Sequence, residues 1–245
     1  MAEADENTRD AAQRAIEPPG RNLTFGLLDT LGRAIVTGEY DSRRFPTEAE
    51  LAKDHCVSRS VTREAVKMLT AKGLLTARPR KGTTVQPAGA WNLFDPDVLR
   101  WLLERSFSID LLRHFSELRI AIEPAAAALA AKAADEAAVA AIRDGYARMV
   151  VAEAGGEDTL EADIGFHVAV LEASANPFFL RFRDVVATAL HTSIRFTNRF
   201  GHHSASLPAH RAVLEAIEGG DADRAHAAMT TIIAQVMGLF AERSR

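Results

Sequence analysis

The chain has 245 residues, enough for one large or two modest domains, and 47% of them are hydrophobic, which supplies a core and excludes disorder as the main state. Its single cysteine, Cys56, excludes an internal disulfide and a four-thiolate zinc site, and suits a reducing compartment. The net charge of −4 conceals an asymmetry, since Arg21 to Gln86 carries 12 Lys and Arg against 7 Asp and Glu, whereas Pro87 to Arg245 carries 15 against 21. Residues 1–22 are charged and small, without the apolar segment of a signal peptide, and no run approaches the roughly 18 apolar residues of a membrane span. The expected location is cytoplasmic, with no membrane partner.

In chain order, residues 1–22 read as a mobile tail without an apolar period. From Thr24 to Thr37, Phe25, Leu28, Leu31, Ile35 and Val36 recur at helical spacing and Gly38 follows, which predicts a first helix. After Pro46, Thr47 can cap a second, short helix while Glu50 reaches back to it, a capping box that runs to about His55. Ser58 can cap a third helix ended by Gly73, with Val61, Ala65, Met68 and Leu69 as its buried face. Two short strands, Leu74 to Arg78 and Thr83 to Gln86, then flank a basic turn, Pro79-Arg80-Lys81-Gly82.

Arg59, Arg63 and Lys67 are spaced by four and share one face of the third helix, opposite the apolar one. Cys56 to Gln86 holds seven basic residues against Glu64 alone, a local cationic footprint. A helix fits the major groove of B-form DNA, where arginine reads guanine O6 and N7, so Arg59 and Arg63 are base-reading candidates and Lys67 a phosphate clamp. Arg80, Lys81 and Gly82 would form a wing against the backbone or minor groove. No Phe, Trp or Tyr lies between Cys56 and Gln86, so the stacking platform of a single-strand binder is missing and double-stranded DNA is the expected partner.

Pro87-Ala88-Gly89-Ala90 opens a linker, assigned to 87–94. The remainder, 95–245, is alanine-rich, mildly acidic and poor in strand signals, which predicts about seven helices. Their expected starts or caps are Asp95, Asp110, Asp135, Asp158, Asn176, Ser204 and Asp221, with breaks near Gly155-Gly156, Asn176-Pro177, Gly201 and Gly219-Gly220. Pro124 should kink the helix that contains it. The expected fold is therefore mainly α, a winged helix-turn-helix over 23–86 followed by an all-α bundle. Asp163 and His167, four apart, share a helix face and could hold one metal ion, although an acid four residues before a histidine also arises by chance, as with Asp110 and His114.

Phe45-Pro46-Thr47-Glu48-Ala49-Glu50-Leu51-Ala52, Val57-Ser58-Arg59-Ser60-Val61-Thr62-Arg63-Glu64-Ala65-Val66 and Gly82-Thr83-Thr84-Val85 resemble the winged helix of GntR-family transcription regulators. The resemblance extends the DNA-contacting set to Thr47, Ser58, Ser60 and Thr62. Many members carry arginine where Ala49 stands and glycine where Cys56 stands; a left-handed Cys56 would cost about 1–2 kcal/mol. Glu117 to Pro124, Asp163 to Pro177 and His210 to Ile217 resemble the FadR-type effector domain, the FCD domain. That resemblance implies a divalent metal, zinc, manganese or nickel, on Asp163, His167 and His210, with Ile232 where metal-binding members place a further histidine, hence either a three-ligand site with more open positions or a weakened metal. It also implies a homodimer, an organic-acid effector gripped by Arg119, and cavity-lining roles for His191, Arg195 and Asn198; an ion pair with Glu123, four residues on, is the alternative use of Arg119. Trp91 to Trp101 resembles members that govern sugar-acid operons, which implies an aldonate-like effector. The expected function is an operator-binding repressor and not an enzyme; the alternatives are a metal-dependent hydrolase or lyase with an accessory DNA-binding module, and a metal-sensing regulator.

Overall fold

The computed structural model describes residues 19–78, 82–105, 109–188, 190–191 and 206–241. Most of the tail (1–18), the wing tip with Arg80 and Lys81, and Arg195, Asn198, Gly201 and Ser204, for which the sequence raises expectations, lie outside these residues. The chain separates into two compact units at Leu93 and Phe94.

In the first unit, α1 (Pro19–Val36) buries Leu27, Leu28, Leu31, Ala34, Ile35 and Val36. It starts earlier than the apolar period indicates. Phe25, expected in the core, is 46% exposed, because Leu27 and Leu28 occupy the inner face at that turn. Gly38 ends the helix with φ +84°. α2 (Glu48–Asp54) carries the predicted capping box: the Glu50 amide donates to Thr47 Oγ1, and the Thr47 amide donates to Glu50 Oε2 at 2.8 Å. α3 (Arg59–Ala71) starts at Ser58, whose hydroxyl accepts from the Val61 amide. Between them Cys56 adopts φ +53°, the left-handed turn residue that lets α3 cross α2.

The buried face of α3 is Thr62, Ala65, Val66 and Leu69; Val61 and Met68 are only half-buried. Both stripes satisfy helical spacing around Ala65 and Leu69, and the one containing Thr62 wins because its hydroxyl donates to the Ser58 carbonyl at 3.3 Å, which satisfies the group within the helix. β1 (Leu75–Arg78) pairs antiparallel with β2 (Gly82–Val85), Leu75 opposite Val85 and Arg78 opposite Gly82. Residues beyond the hairpin return to it: the Trp91 indole donates to the Gln86 carbonyl at 2.9 Å and the Asn92 amide to the Lys72 carbonyl at 3.0 Å.

The second unit is helical throughout its described residues: α4 (Pro96–Arg105), α5 (Ile109–Ala133), α6 (Glu136–Glu153), α7 (Thr159–Ala173), α8 (Pro177–Leu180), α9 (183–188), α10 (Leu207–Glu218) and α11 (Ala222–Ala241). Asp95, Asp135, Asp158, Asn176 and Asp221 each accept helix-start amides, as their positions predict. The single helix expected to start at Asn176 is interrupted by a turn at 181–182, which divides it into α8 and α9. α5 runs on through Pro124 and packs against α11 and α7, while α6 packs against α7 and α10. Small residues bring these helices close. Ala126, Ala127, Ala130 and Ala131 of α5 are buried, and a Cβ on Gly145 of α6 would stand 3.1 Å from the Phe166 Cα of α7.

Candidate nucleic-acid interface and candidate metal centre

The DNA-facing candidates of the first unit separate by exposure. Arg59, Ser60, Arg63 and Lys67 are exposed along α3. Arg59 is the first residue of that helix, a cation at the positive end of the helix dipole, which costs about 0.3–1 kcal/mol unless an anion binds there. Arg63 Nε donates to Glu48 Oε2 of α2 at 3.4 Å, and Lys67 pairs with Glu64 at 3.3 Å. Thr62 is a correction: it is fully buried, so any direct contact with DNA falls to its neighbours. Thr47 and Ser58 already serve as caps, and the Ser58 and Ser60 hydroxyls share a hydrogen bond of 2.9 Å. Gly82 opens β2 with φ +78°, with open space where a Cβ would stand.

In the second unit, α7 places Asp163 and His167 one turn apart, α10 contributes His210 from its first turn, and α5 brings Arg119 and Glu123 against them. All five are at least nine-tenths buried. One oxygen of Asp163 and one nitrogen from each histidine lie within 4.8 Å of one another. Hydrogen bonding fixes which nitrogens these are. His210 Nδ1 lies 2.9 Å from the Ser206 carbonyl, which can only accept, so Nδ1 carries the proton. His167 Nδ1 lies 2.6 Å from Glu123 Oε2 and donates likewise. That leaves the two Nε2 atoms, 3.4 Å apart, as the nitrogens that face Asp163 Oδ1, at 3.1 Å from His210 and 3.9 Å from His167.

His210 Nε2 is 3.1 Å from Asp163 Oδ1, a distance that suits a hydrogen bond, yet the angle does not, and Oδ1 is a buried acceptor without a partner among the described residues. A carboxylate oxygen and two imidazole nitrogens that converge in this way fit a divalent cation, which would replace any proton on Nε2, with Glu123 and the Ser206 carbonyl orienting the two imidazoles from behind. Glu123 is the residue that sequence reasoning undervalued: it was read only as a partner for Arg119. The signal lay in the chemistry, because a ligand imidazole needs an acceptor at its other nitrogen.

Arg119 takes the ion-pair role. Its Nε donates to Glu123 Oε1 at 2.5 Å and Nη2 to Oε2 at 3.2 Å, and Nη2 lies 3.4 Å from both ring nitrogens of His167. Burial alone would raise the Glu123 carboxyl, but the charge of Arg119 and the contact with His167 hold it at about 2. Burial likewise opposes the Asp163 carboxylate, and His210, His167 and Arg119 together lower its pKa below the usual value. Ile232 is buried in the helical core and contributes no donor. His191 is half-exposed and pairs with Glu161 at 3.3 Å.

A winged helix with an exposed basic helix, followed in one chain by a helical domain around a buried polar cluster, defines a two-domain DNA-binding regulator. Residues 27–85 match the model for bacterial regulatory proteins of the gntR family and residues 114–235 that for the FCD domain, and the chain belongs to the GntR family of transcriptional regulators that carry an FCD domain. It is 34% identical to the galactonate operon transcriptional repressor of Escherichia coli K12 over 218 residues, covering 87% of this chain and 94% of that one. It is also 34% identical to YieP, an uncharacterised HTH-type transcriptional regulator of the same organism, over 224 residues, 87% and 93% of the two chains. Lar of Listeria monocytogenes, 18% identical with a TM-score of 0.51 over 94% of this chain and 100% of that one, shares the fold. These relatives are regulators, not enzymes, and the hydrolase or lyase alternative is set aside. Among the described residues no helix is long and apolar enough to cross a membrane.

Proposed function

We propose that this protein is a cytoplasmic, homodimeric repressor of an operon for sugar-acid catabolism, released from its operator by a small organic acid bound at the Asp163, His167 and His210 cluster. The carrying observation is the buried Asp163 oxygen without a hydrogen-bond partner, within 4.8 Å of a nitrogen of each of two histidines, in a helical domain that follows a basic winged helix in the chain. Likeness to the galactonate operon repressor points to an aldonate or a related acid.

Charge counting favours the same class of effector. Arg119 contributes one positive charge and Glu123 and Asp163 two negative ones, so with both imidazoles neutral, as metal ligation requires, the buried cluster carries one net negative charge. A divalent cation on Asp163, His167 and His210, whether zinc, manganese or nickel, would supply a Lewis-acidic centre with open positions for carboxylate and hydroxyl oxygens. The cluster would then carry one net positive charge, which a single carboxylate neutralises. Arg119 beside His167 can share its guanidinium between Glu123 and that carboxylate. His191, Arg195 and Asn198 remain candidates for the sugar hydroxyls.

On the DNA side, Arg59 and Arg63 read bases, Ser58, Ser60, Lys67, Arg80, Lys81 and Gly82 contact the backbone, and two copies meet two half-sites of a near-palindrome. The test begins with thermal-shift screening of aldonic and uronic acids against metal-loaded protein, followed by gel-shift titration with those that bind. Loss of operator binding is expected. An acid that binds tightly and leaves the shifted band unchanged overturns the release scheme. Chelation that by itself abolishes or restores operator binding would favour the metal-sensing reading.

A further inference from the structure

We infer that Glu48, at the start of α2, is a positioning residue for DNA readout: it holds Arg63 by Nε so that both Nη groups point at a guanine. The inference rests on the base-reading role given to Arg63 above. A carboxylate beside a phosphate-binding surface is a liability, since it repels the backbone, and something must offset it. Glu48 is the first residue of its helix, 39% exposed, and it reaches across the turn to α3. Its Oε2 meets Arg63 at Nε, 3.4 Å away, and not at the terminal amino groups. That choice of atom matters because end-on recognition of guanine O6 and N7 uses the two Nη groups. An arginine held at Nε also loses less rotamer freedom when it docks than one that starts unrestrained.

The other two cations of the stripe lack such a device. Lys67 pairs within its own helix with Glu64, and Arg59 has no ion pair among the described residues. Only Arg63 is restrained from a different element, so its direction is set by the packing of α2 against α3 and not by its own flexible chain.

A purely electrostatic Glu48 and a positioning Glu48 predict different outcomes. If it only repels phosphate, its removal tightens every duplex equally. If it positions Arg63, its removal leaves unrelated duplexes as tightly or more tightly bound, while discrimination at one base pair collapses. The experiment takes the full-length protein, the duplex it selects best from a randomised pool, each single base-pair variant of that duplex, and an unrelated duplex of equal length. Arg63→Ala should lose discrimination of about tenfold or more at one G·C pair. Glu48→Ala and Glu48→Asp, the latter keeping the charge at the helix start but one methylene short, should lose most of it at that same pair. Glu48→Gln, which keeps an acceptor oxygen, should retain part. In the Arg63→Ala background Glu48→Ala should change nothing at that pair. If Arg63→Ala loses discrimination and the Glu48 variants keep it, the positioning role is wrong while the base-reading role stands. If Arg63→Ala itself discriminates as the wild type does, both fail.

Discussion

Cys56 carries the clearest residue-scale cost in the DNA-binding unit. Its φ of +53° places an L side chain in the region glycine prefers, at the turn where α2 gives way to α3. Cys56→Gly should stabilise the protein by about 1 kcal/mol, less the extra freedom glycine gives the unfolded chain. Urea denaturation checks it, and an unchanged or lower midpoint would show that the exposed thiol, 3.8 Å from the Lys53 carbonyl, holds the turn instead. The turn was legible because family glycine and chain cysteine could be set side by side; Thr62 was not, because a threonine whose hydroxyl bonds within its own helix looks polar in sequence and apolar in the fold. Glu50 gives a pH signature. The ion pair with Arg44 and the hydrogen bonds from Thr47 hold its carboxyl at about 2, below its ordinary 4.5. A depressed folded-state pKa stabilises fully above about 4.5 and loses that contribution as the pH falls toward 2. The difference in melting temperature between wild type and Glu50→Gln should therefore shrink steadily as the pH drops through that window, and a constant difference would assign the effect to helix capping shape alone.

At the scale of elements, capping chemistry made the architecture readable. Asp135, Asp158 and Asn176 sit where their helices start because a short acceptor side chain satisfies amides that the helix itself cannot. Pattern fails where packing decides: the inner face of α3 had two permissible stripes, and no Gly or Pro marks the turn at 181–182 that separates α8 from α9. The buried Asp and His cluster was half legible, since Asp163 and His167 on one face follow from spacing, whereas their meeting with His210 and Glu123 depends on how α5, α7 and α10 pack. One tertiary contact was invisible in sequence. Gly73, with φ +78°, ends α3, and a Cβ there would stand 2.5 Å from the Ala90 carbonyl. Gly73→Ala should cost about 2 kcal/mol or more, from both the left-handed backbone and the displaced 88–92 segment. In a Trp101→Phe background the emission of Trp91, now 9% exposed, should shift to the red as its indole loses the Gln86 carbonyl. Unshifted emission at full stability would mean the segment simply moves aside.

For the whole molecule, the two units carry opposite charge excess, and regulation under the proposed scheme needs only that a ligand in one favour an arrangement of the proposed dimer that the operator does not. A coupling of about 1–3 kcal/mol, a 5–150-fold change in operator affinity, suffices and is reciprocal. Reciprocity gives a measurement that separates a coupled sensor from two independent modules. With operator DNA bound, the affinity for the acid should fall by the same factor by which saturating acid weakens the operator. His167→Ala leaves Asp163 and His210 without their third donor, so it should abolish the acid's effect while operator affinity without acid stays within about threefold of wild type, because the exposed stripe of α3 belongs to the other unit. Chelation should mimic that variant. Fluorescence anisotropy of a labelled operator, titrated with acid in the presence and absence of chelator, reads all three quantities. A chelated protein that still responds fully to the acid would place the effector away from Asp163, His167 and His210, and would leave their convergence to a purely structural role in the bundle.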